Sequence, residues 1–310
     1  MSTQKSLSRR AWAELMLLAA IWGGSFLSTK LALVEVPVVT VVLHRCGWAA
    51  LVLWAVVLLR RLPLPRDPGT WAAFLVMGVL NNVAPFFLLT WGQLHIESGL
   101  ASILNATTAV FGVIVASMVF ADERLTARKL TGVAIGFLGV TVALGLDAFR
   151  QFDPRSTGQL AVLGATLCYA LAGSWARARL SHLRPEVAAA GMLGAATLVL
   201  IPLALGLDGV PSLDLSPTTW AAIAYYSVFG TAAAFLLYYR VLAMAGSGNL
   251  MLVTLLVPPV AIVLGAVVLG EALPLRAFAG FALLAVGLLI LNGTLRLPRK
   301  RVIDPASAAD

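Results

Sequence analysis

Apolar residues run along this chain in blocks of about twenty, each long enough as a helix to cross the roughly 30 Å hydrocarbon layer of a bilayer. The blocks fall near residues 12–33, 38–59, 71–92, 98–120, 127–146, 158–178, 187–206, 217–239, 249–270 and 275–295. Proline, glycine or charge breaks the pattern between them, as in Arg60-Arg61-Leu62-Pro63, Asp122-Glu123-Arg124, Asp153-Pro154-Arg155 and Asp208-Gly209-Val210-Pro211. The pattern predicts an all-α polytopic membrane protein with ten transmembrane helices.

The pattern also repeats. Pro68-Gly69-Thr70-Trp71-Ala72-Ala73 returns 149 positions later as Pro217-Thr218-Thr219-Trp220-Ala221-Ala222. Glu123, Leu125, Gly132 and Gly139 return 148 positions later as Glu271, Leu273, Gly280 and Gly287. Each copy holds five helices, and an odd number forces the second copy to enter the membrane from the opposite side. The expected organisation is two inverted five-helix repeats, residues 1–148 and 149–298, with a cytosolic tail at 299–310. Inverted repeats around a midplane site are a recurring plan of secondary transporters.

Composition supports the membrane assignment. The chain is 60% hydrophobic and 12% charged, with a mean hydropathy of +0.93, too few charges to coat a water-facing surface. The net charge of +8 points to topology and not to nucleic acid, because the cations sit in short clusters between the spans. With both termini inside, the inner segments hold Lys5, Arg9, Arg10, Arg60, Arg61, Arg66, Arg124, Arg128, Lys129, Arg177, Arg179, Arg184, Arg240, Arg296, Arg299, Lys300 and Arg301. The outer segments hold only Arg150, Arg155 and Arg276. That asymmetry places the protein in the cell's inner membrane as a multi-pass chain with both termini cytoplasmic. Cys46 and Cys168 both fall within spans, so neither a disulfide framework nor a metal cluster is expected. There is no nucleotide-binding phosphate loop, and no cofactor is expected.

The junction Phe120-Ala121-Asp122-Glu123-Arg124-Leu125-Thr126 with Gly132 beyond, the matching Pro258-Pro259-Val260 and Leu269-Gly270-Glu271-Ala272-Leu273 with Gly280, and Trp22-Gly23-Gly24-Ser25-Phe26 with Lys30 together resemble the drug/metabolite transporter superfamily. More narrowly, the chain is similar to ten-helix exporters built from two EamA-type repeats, a group that includes bacterial amino-acid and metabolite efflux proteins. The resemblance implies that helices one, three, four, six, eight and nine line a cavity and that helices five and ten support it. Two departures are visible. A mid-helix proline expected in both repeats is absent from the first, where Ala109 or a neighbour stands, so any bend there must have another cause. The second-half counterpart of Trp22-Gly23 is Tyr169-Ala170.

Polar and aromatic groups inside the spans are the candidate substrate contacts, since each is costly in lipid unless it faces protein or water. They are Trp22, Ser25, His44, Asn81, Asn82, Asn105, Thr108, Tyr169 and Tyr226. Asn81 and Asn82 point about 100° apart on an α-helix, so one of the two at most is expected to reach a cavity. Asn105 and Thr108 share a helix face. For each of these residues, interhelical packing is the competing role. Lys30, Arg45, Pro258 and Pro259 are the candidate gating groups. Lys30 can snorkel to the outer surface, Arg45 needs a partner, with Glu35 in the adjacent loop a candidate, or an anionic ligand, and the prolines offer a flexing point in the ninth helix. His44 is a proton-sensitive group or a satisfied core histidine.

No aspartate or glutamate falls in the middle third of any span, which favours facilitated diffusion or exchange over tight ion coupling. The sequence therefore predicts a carrier that exports small neutral metabolites, foremost hydrophobic or aromatic amino acids, by alternating access without ATP. Its partners would be a small-molecule substrate and the lipid bilayer, as a monomer or weak homodimer. The alternatives are an exporter of other metabolites or drugs, or an intramembrane lipid-modifying enzyme, for which paired carboxylates or a nucleophile–base set are missing.

Overall fold

The computed structural model describes residues 7–96, 98–145, 152–153, 155–269, 274–292 and 295. The tail 299–310, the Gly270–Leu273 repeat of the glutamate motif and the Lys30 side chain lie outside the described residues. All regular structure in the described residues is helical. Six helical stretches are long and apolar enough to cross a membrane: Val38–Leu59, Pro68–Gly92, Ala127–Leu144, Thr157–Arg179, Pro185–Leu207 and Pro217–Ala245. Shorter apolar helices accompany them at Ile103–Val119, Ser247–Val260 and Leu275–Leu291. The chain is a multi-pass membrane protein.

Local chemistry sets the helix starts. Ser8 accepts the Ala11 N–H to begin α1 (Arg9–Ala32). Pro37 precedes α2 (Val38–Leu59). Asp67 accepts the N–H groups of Gly69 and Thr70 at 2.9 and 2.8 Å to begin α3 (Pro68–Gly78). Such side-chain caps satisfy donors that the first helical turn leaves free. A π turn, Val79–Val83, then leads into α4 (Ala84–Gln93). Its cause is readable: Pro85 has no N–H to give the carbonyl of Asn81, so the α-helical register slips there.

The helices α5 (Ser98–Ala106) and α6 (Thr108–Val119) form one broken rod. The break falls at Thr107, whose hydroxyl donates to the Leu104 carbonyl at 2.6 Å, while Thr108 donates to the Asn105 carbonyl at 2.7 Å. Threonine hydroxyls that bond back to the preceding turn bend helices. The bend that the first half lacks a proline to make is thus made by threonines. After the Phe120–Thr126 junction come α7 (Ala127–Leu144), α8 (Thr157–Arg179) and α9 (Pro185–Leu207).

The next rod repeats the plan of α3 and α4. Ser216 caps α10 (Pro217–Ala224), a π segment spans Tyr225–Ala233, and α11 (Ala234–Ala245) completes it. Here Thr231 donates its hydroxyl to the Tyr226 carbonyl five residues back, at 2.8 Å. Gly246, at φ +85°, turns the chain into α12 (Ser247–Leu250), and Met251-Leu252 separates α12 from α13 (Val253–Leu269). The break therefore precedes Pro258 and Pro259, which lie inside α13 and leave the carbonyls of Thr254 and Leu255 without helical donors.

Finally, α14 (Leu275–Asn292) packs along α7. Their glycines meet each other: a Cβ on Gly139 would lie 2.5 Å from the Leu284 nitrogen and 2.7 Å from the Gly280 oxygen, and one on Gly287 would lie 2.6 Å from the Gly136 nitrogen. The Gly132–Gly136 pair thus serves as a close-contact seam, and its partner is the glycine face of α14. The opposite face of α14 leaves Phe278 and Leu289 exposed.

Candidate functional site

A cavity of about 100 Å³ lies within the bundle. From α1 come Trp22, Ser25 and Thr29, which sit at i, i+3 and i+7 and so share one face. The first π turn contributes Asn81, and α4 adds Phe86, Leu89 and Thr90. Asn105 and Thr108 flank the Thr107 break, and Tyr169 enters from α8. Phe235 and Tyr238 of α11 close one side, with Met251, Val253, Thr254 and Val257 from the α12–α13 segment. Neither α7 nor α14 contributes a lining residue, whereas α2 contributes Arg45.

Arg45 is the one charged side chain in that wall among the described residues. Its Nε–H donates to the Thr231 hydroxyl at 3.0 Å, Nη2 lies 3.5 Å from the Gly230 carbonyl, and the guanidinium carbon sits 4.2 Å from the centre of the Phe86 ring. No carboxylate among the described residues pairs with it. The expected pairing with Glu35 does not form. Glu35 instead accepts the Ser216 N–H at 2.9 Å, tying the α1–α2 link to the start of α10. That hydrogen bonding with Ser216 holds the Glu35 carboxyl below its usual range.

The second π segment contributes no lining residue but holds side chains of this wall in place. Trp22 also donates to the Gly230 carbonyl, at 3.0 Å. Gly230 has no room for a side chain because Ser25 Oγ occupies the space where a Cβ would stand. Three lining hydroxyls already donate to helix backbone: Ser25 to Ile21, Thr108 to Asn105 and Thr254 to Met251. The aromatic part is a set of edge-to-face contacts, Trp22 to Phe235, Phe235 to Tyr238 and Phe86 to Tyr169.

Of the side chains predicted from sequence, the structure brings Trp22, Ser25, Asn81, Asn105, Thr108, Tyr169 and Arg45 to one cavity. Asn82, beside Asn81, is fully buried away from it, and its amide atoms have no hydrogen-bond partner among the described residues. Tyr226 is likewise buried off the cavity, in a cluster with Ala32, Val36, Val41 and Ile223. His44 lies in a separate lateral groove with Trp48, Trp54 and Trp71, where its Nδ1 accepts the Trp48 indole N–H at 3.1 Å. The difference from Arg45 is one residue along α2, which turns the two side chains about 100° apart. Pro258 and Pro259 do not line the cavity; Val257 beside them does.

Sequence reasoning passed over Thr29, Phe86, Leu89, Thr90, Phe235, Tyr238, Met251, Val253, Thr254 and Val257. Thr29 was visible as the third member of the Trp22–Ser25 face. Phe86 and Thr90, at i and i+4, lie beyond a π turn that shifts the register counted from Asn81.

A buried polar cluster holds the segment that leads into Met251. Glu123 is buried and accepts the N–H groups of Ser247 and Gly248, each at 2.8 Å. Arg177 of α8 pairs with Glu123 and with Asp122, the latter at 2.5 Å, and covers the Phe120 ring at 4.2 Å. The Glu123 motif therefore anchors the start of α12, a four-residue helix followed at once by Met251 in the cavity wall. A smaller clasp joins Glu14 of α1 to Arg240 of α11 at 2.5 Å.

The profile of the EamA-like transporter family matches this chain twice, over residues 11–145 and 156–293. The chain is 30% identical over 289 residues to a probable terminal-alkyne amino-acid exporter of Streptantibioticus cattleyicolor, covering 92% of this chain and 94% of that protein. It is 25% identical to a probable amino-acid metabolite efflux pump of Escherichia coli, covering 92% and 95%. A solved crystal structure superimposes with a TM-score of 0.78 at 19% identity, covering 92% of this chain and 97% of the other, a likeness of fold.

Proposed function

The chain belongs to the EamA-like transporter family, and from that membership we propose that it exports small amphipathic metabolites, foremost amino acids with hydrophobic or aromatic side chains. The observation that carries this reading is the cavity itself: mostly apolar, walled by Trp22, Phe86, Tyr169, Phe235 and Tyr238, and bearing, among the described residues, one cation with no counter-ion. A zwitterion with an apolar side chain matches such a wall, whereas a cationic drug would meet Arg45. The names of the two relatives lean the same way.

Transport would proceed by alternating access of two inverted five-helix repeats across ten spans, without ATP. The duplicated profile match, the paired π segments and the mutual α7–α14 glycine seam all favour that plan. Both termini would face the cytosol across the inner membrane, and the protein would act as a monomer or weak homodimer. Leu64→Cys and Leu213→Cys, both at exposed positions, should then be labelled from opposite sides of intact cells. Labelling from one side would overturn the inversion.

The function is tested by counterflow. Proteoliposomes loaded with unlabelled phenylalanine should accumulate external labelled phenylalanine or leucine above protein-free vesicles. Failure of every amino acid in a panel to exchange would remove the substrate claim.

A further inference from the structure

We propose that Arg45 and Ser25 form the head-group subsite of the carrier, with the guanidinium holding a substrate carboxylate and the Ser25 oxygen accepting from its ammonium. This rests on the amino-acid reading above and goes beyond it by assigning the polar recognition. The two side chains converge on one residue. Arg45 Nη2 is 3.5 Å from the Gly230 carbonyl, and Ser25 Oγ fills the space against the Gly230 α-carbon. A carboxylate and an ammonium separated by a single carbon can therefore address both at once.

The donor and acceptor roles follow from what each group already does. Arg45 gives its Nε–H to Thr231 and stacks on Phe86, which fixes the plane of the fork while Nη1 makes no hydrogen bond within the described residues. A guanidinium presents paired N–H groups that match a carboxylate. Ser25 donates its only hydroxyl proton to the Ile21 carbonyl at 3.2 Å, so what remains for a ligand is lone-pair acceptance. Thr108 and Thr254 are in the same condition. Among the described residues the wall thus offers one strong cationic donor and several neutral acceptors, a match for a free α-amino acid. An amide, an ester or a bare amine would leave the Arg45 charge without its counterpart, which is costly at this depth.

The test is counterflow of labelled phenylalanine in proteoliposomes of the full chain, with competitors that differ only at the head group. Phenylalanine should compete fully and 3-phenylpropionate, which keeps the carboxylate alone, more weakly. Phenylalaninamide and phenethylamine should need about tenfold or more higher concentrations, the loss expected from one charge-assisted hydrogen-bonded contact. Arg45→Gln should raise the phenylalanine KM by about the same factor and abolish the discrimination between acid and amide. Arg45→Lys should keep part of it. Equal competition by the acid and the amide in the wild type, which needs no variant to fold, would overturn the proposal while leaving amino-acid export intact. Absence of exchange by every amino acid would instead sink the underlying function.

Discussion

The rod 68–93 and the rod 217–245 share a cap, a tryptophan and a central π turn, yet they make the turn by different chemistry. The first slips register at Pro85, which lacks an N–H; the second does so where Thr231 bonds the carbonyl five residues back. The broken rods differ as well. Thr107 and Thr108 interrupt α5–α6, whereas the α12–α13 rod carries Pro258 and Pro259 beyond its break. The comparison teaches that duplicated geometry is held by backbone hydrogen-bond patterns, which either residue can impose, and that the side chains over it are free to differ. At offsets of 147–149, Arg45 falls on Met192, Leu193 or Gly194, so the cavity's cation comes from one half alone. The α7–α14 seam shows the opposite behaviour, with glycine meeting glycine.

Breaking the shared framework should have the largest effects. Glu123→Ala removes a buried carboxylate that holds Arg177 and two N–H groups of α12, and should cost about 3–5 kcal/mol, read as lost thermal stability of the detergent-solubilised protein. A loss under about 1 kcal/mol would show that the cluster does not anchor α12. Next, Gly139→Ala and Gly280→Ala should each cost about 1–3 kcal/mol, and similarly, because each meets its counterpart's backbone. A large difference between them would argue against a symmetric seam.

Smaller changes sharpen the contrast between the bends. Thr107→Val should cost about 1 kcal/mol and reduce phenylalanine counterflow by straightening the rod beside Asn105 and Thr108. Unchanged transport would place the bend's cause elsewhere. The smallest effect concerns the two caps. Hydrogen bonding by Thr70, then by the Gly69 and Thr70 N–H groups, holds the Asp67 carboxyl below its usual range. A depressed carboxylate stabilises above its unfolded pKa, and that contribution is lost as pH falls through the folded value. Ser216 caps α10 with a hydroxyl that does not titrate there. Asp67→Asn should therefore flatten a slight acid-side loss of stability; an unchanged acid limb would detach it from this cap.

Much of the fold was legible because helix starts are local. Proline, glycine and charge marked the ends of the spans, and the echo of Pro68–Ala73 at Pro217–Ala222 announced the paired rods. The Trp22–Ser25 face and the Asn105–Thr108 pair could be counted by helical spacing and do reach the cavity. What sequence could not supply was the consequence of irregular backbone. Helical spacing allowed one of Asn81 and Asn82 to reach the cavity, and Asn81 does, but Phe86 and Thr90 join it in the wall beyond a π turn that resets the angular count. Glu35 was a reasonable partner for Arg45 by proximity in the chain, but the Ser216 N–H, 181 residues away, takes it. Long-range partners of that kind are invisible to periodicity.

The central claim is that substrate occupies the cavity beside Arg45. It is tested most directly by substrate protection of a single cysteine placed in that wall, Thr90→Cys, with Cys46 and Cys168 replaced by alanine. Phenylalanine should slow maleimide labelling at this position severalfold and leave Leu58→Cys, on the exposed surface, unchanged. Equal labelling of Thr90→Cys with and without any transported amino acid would contradict the account.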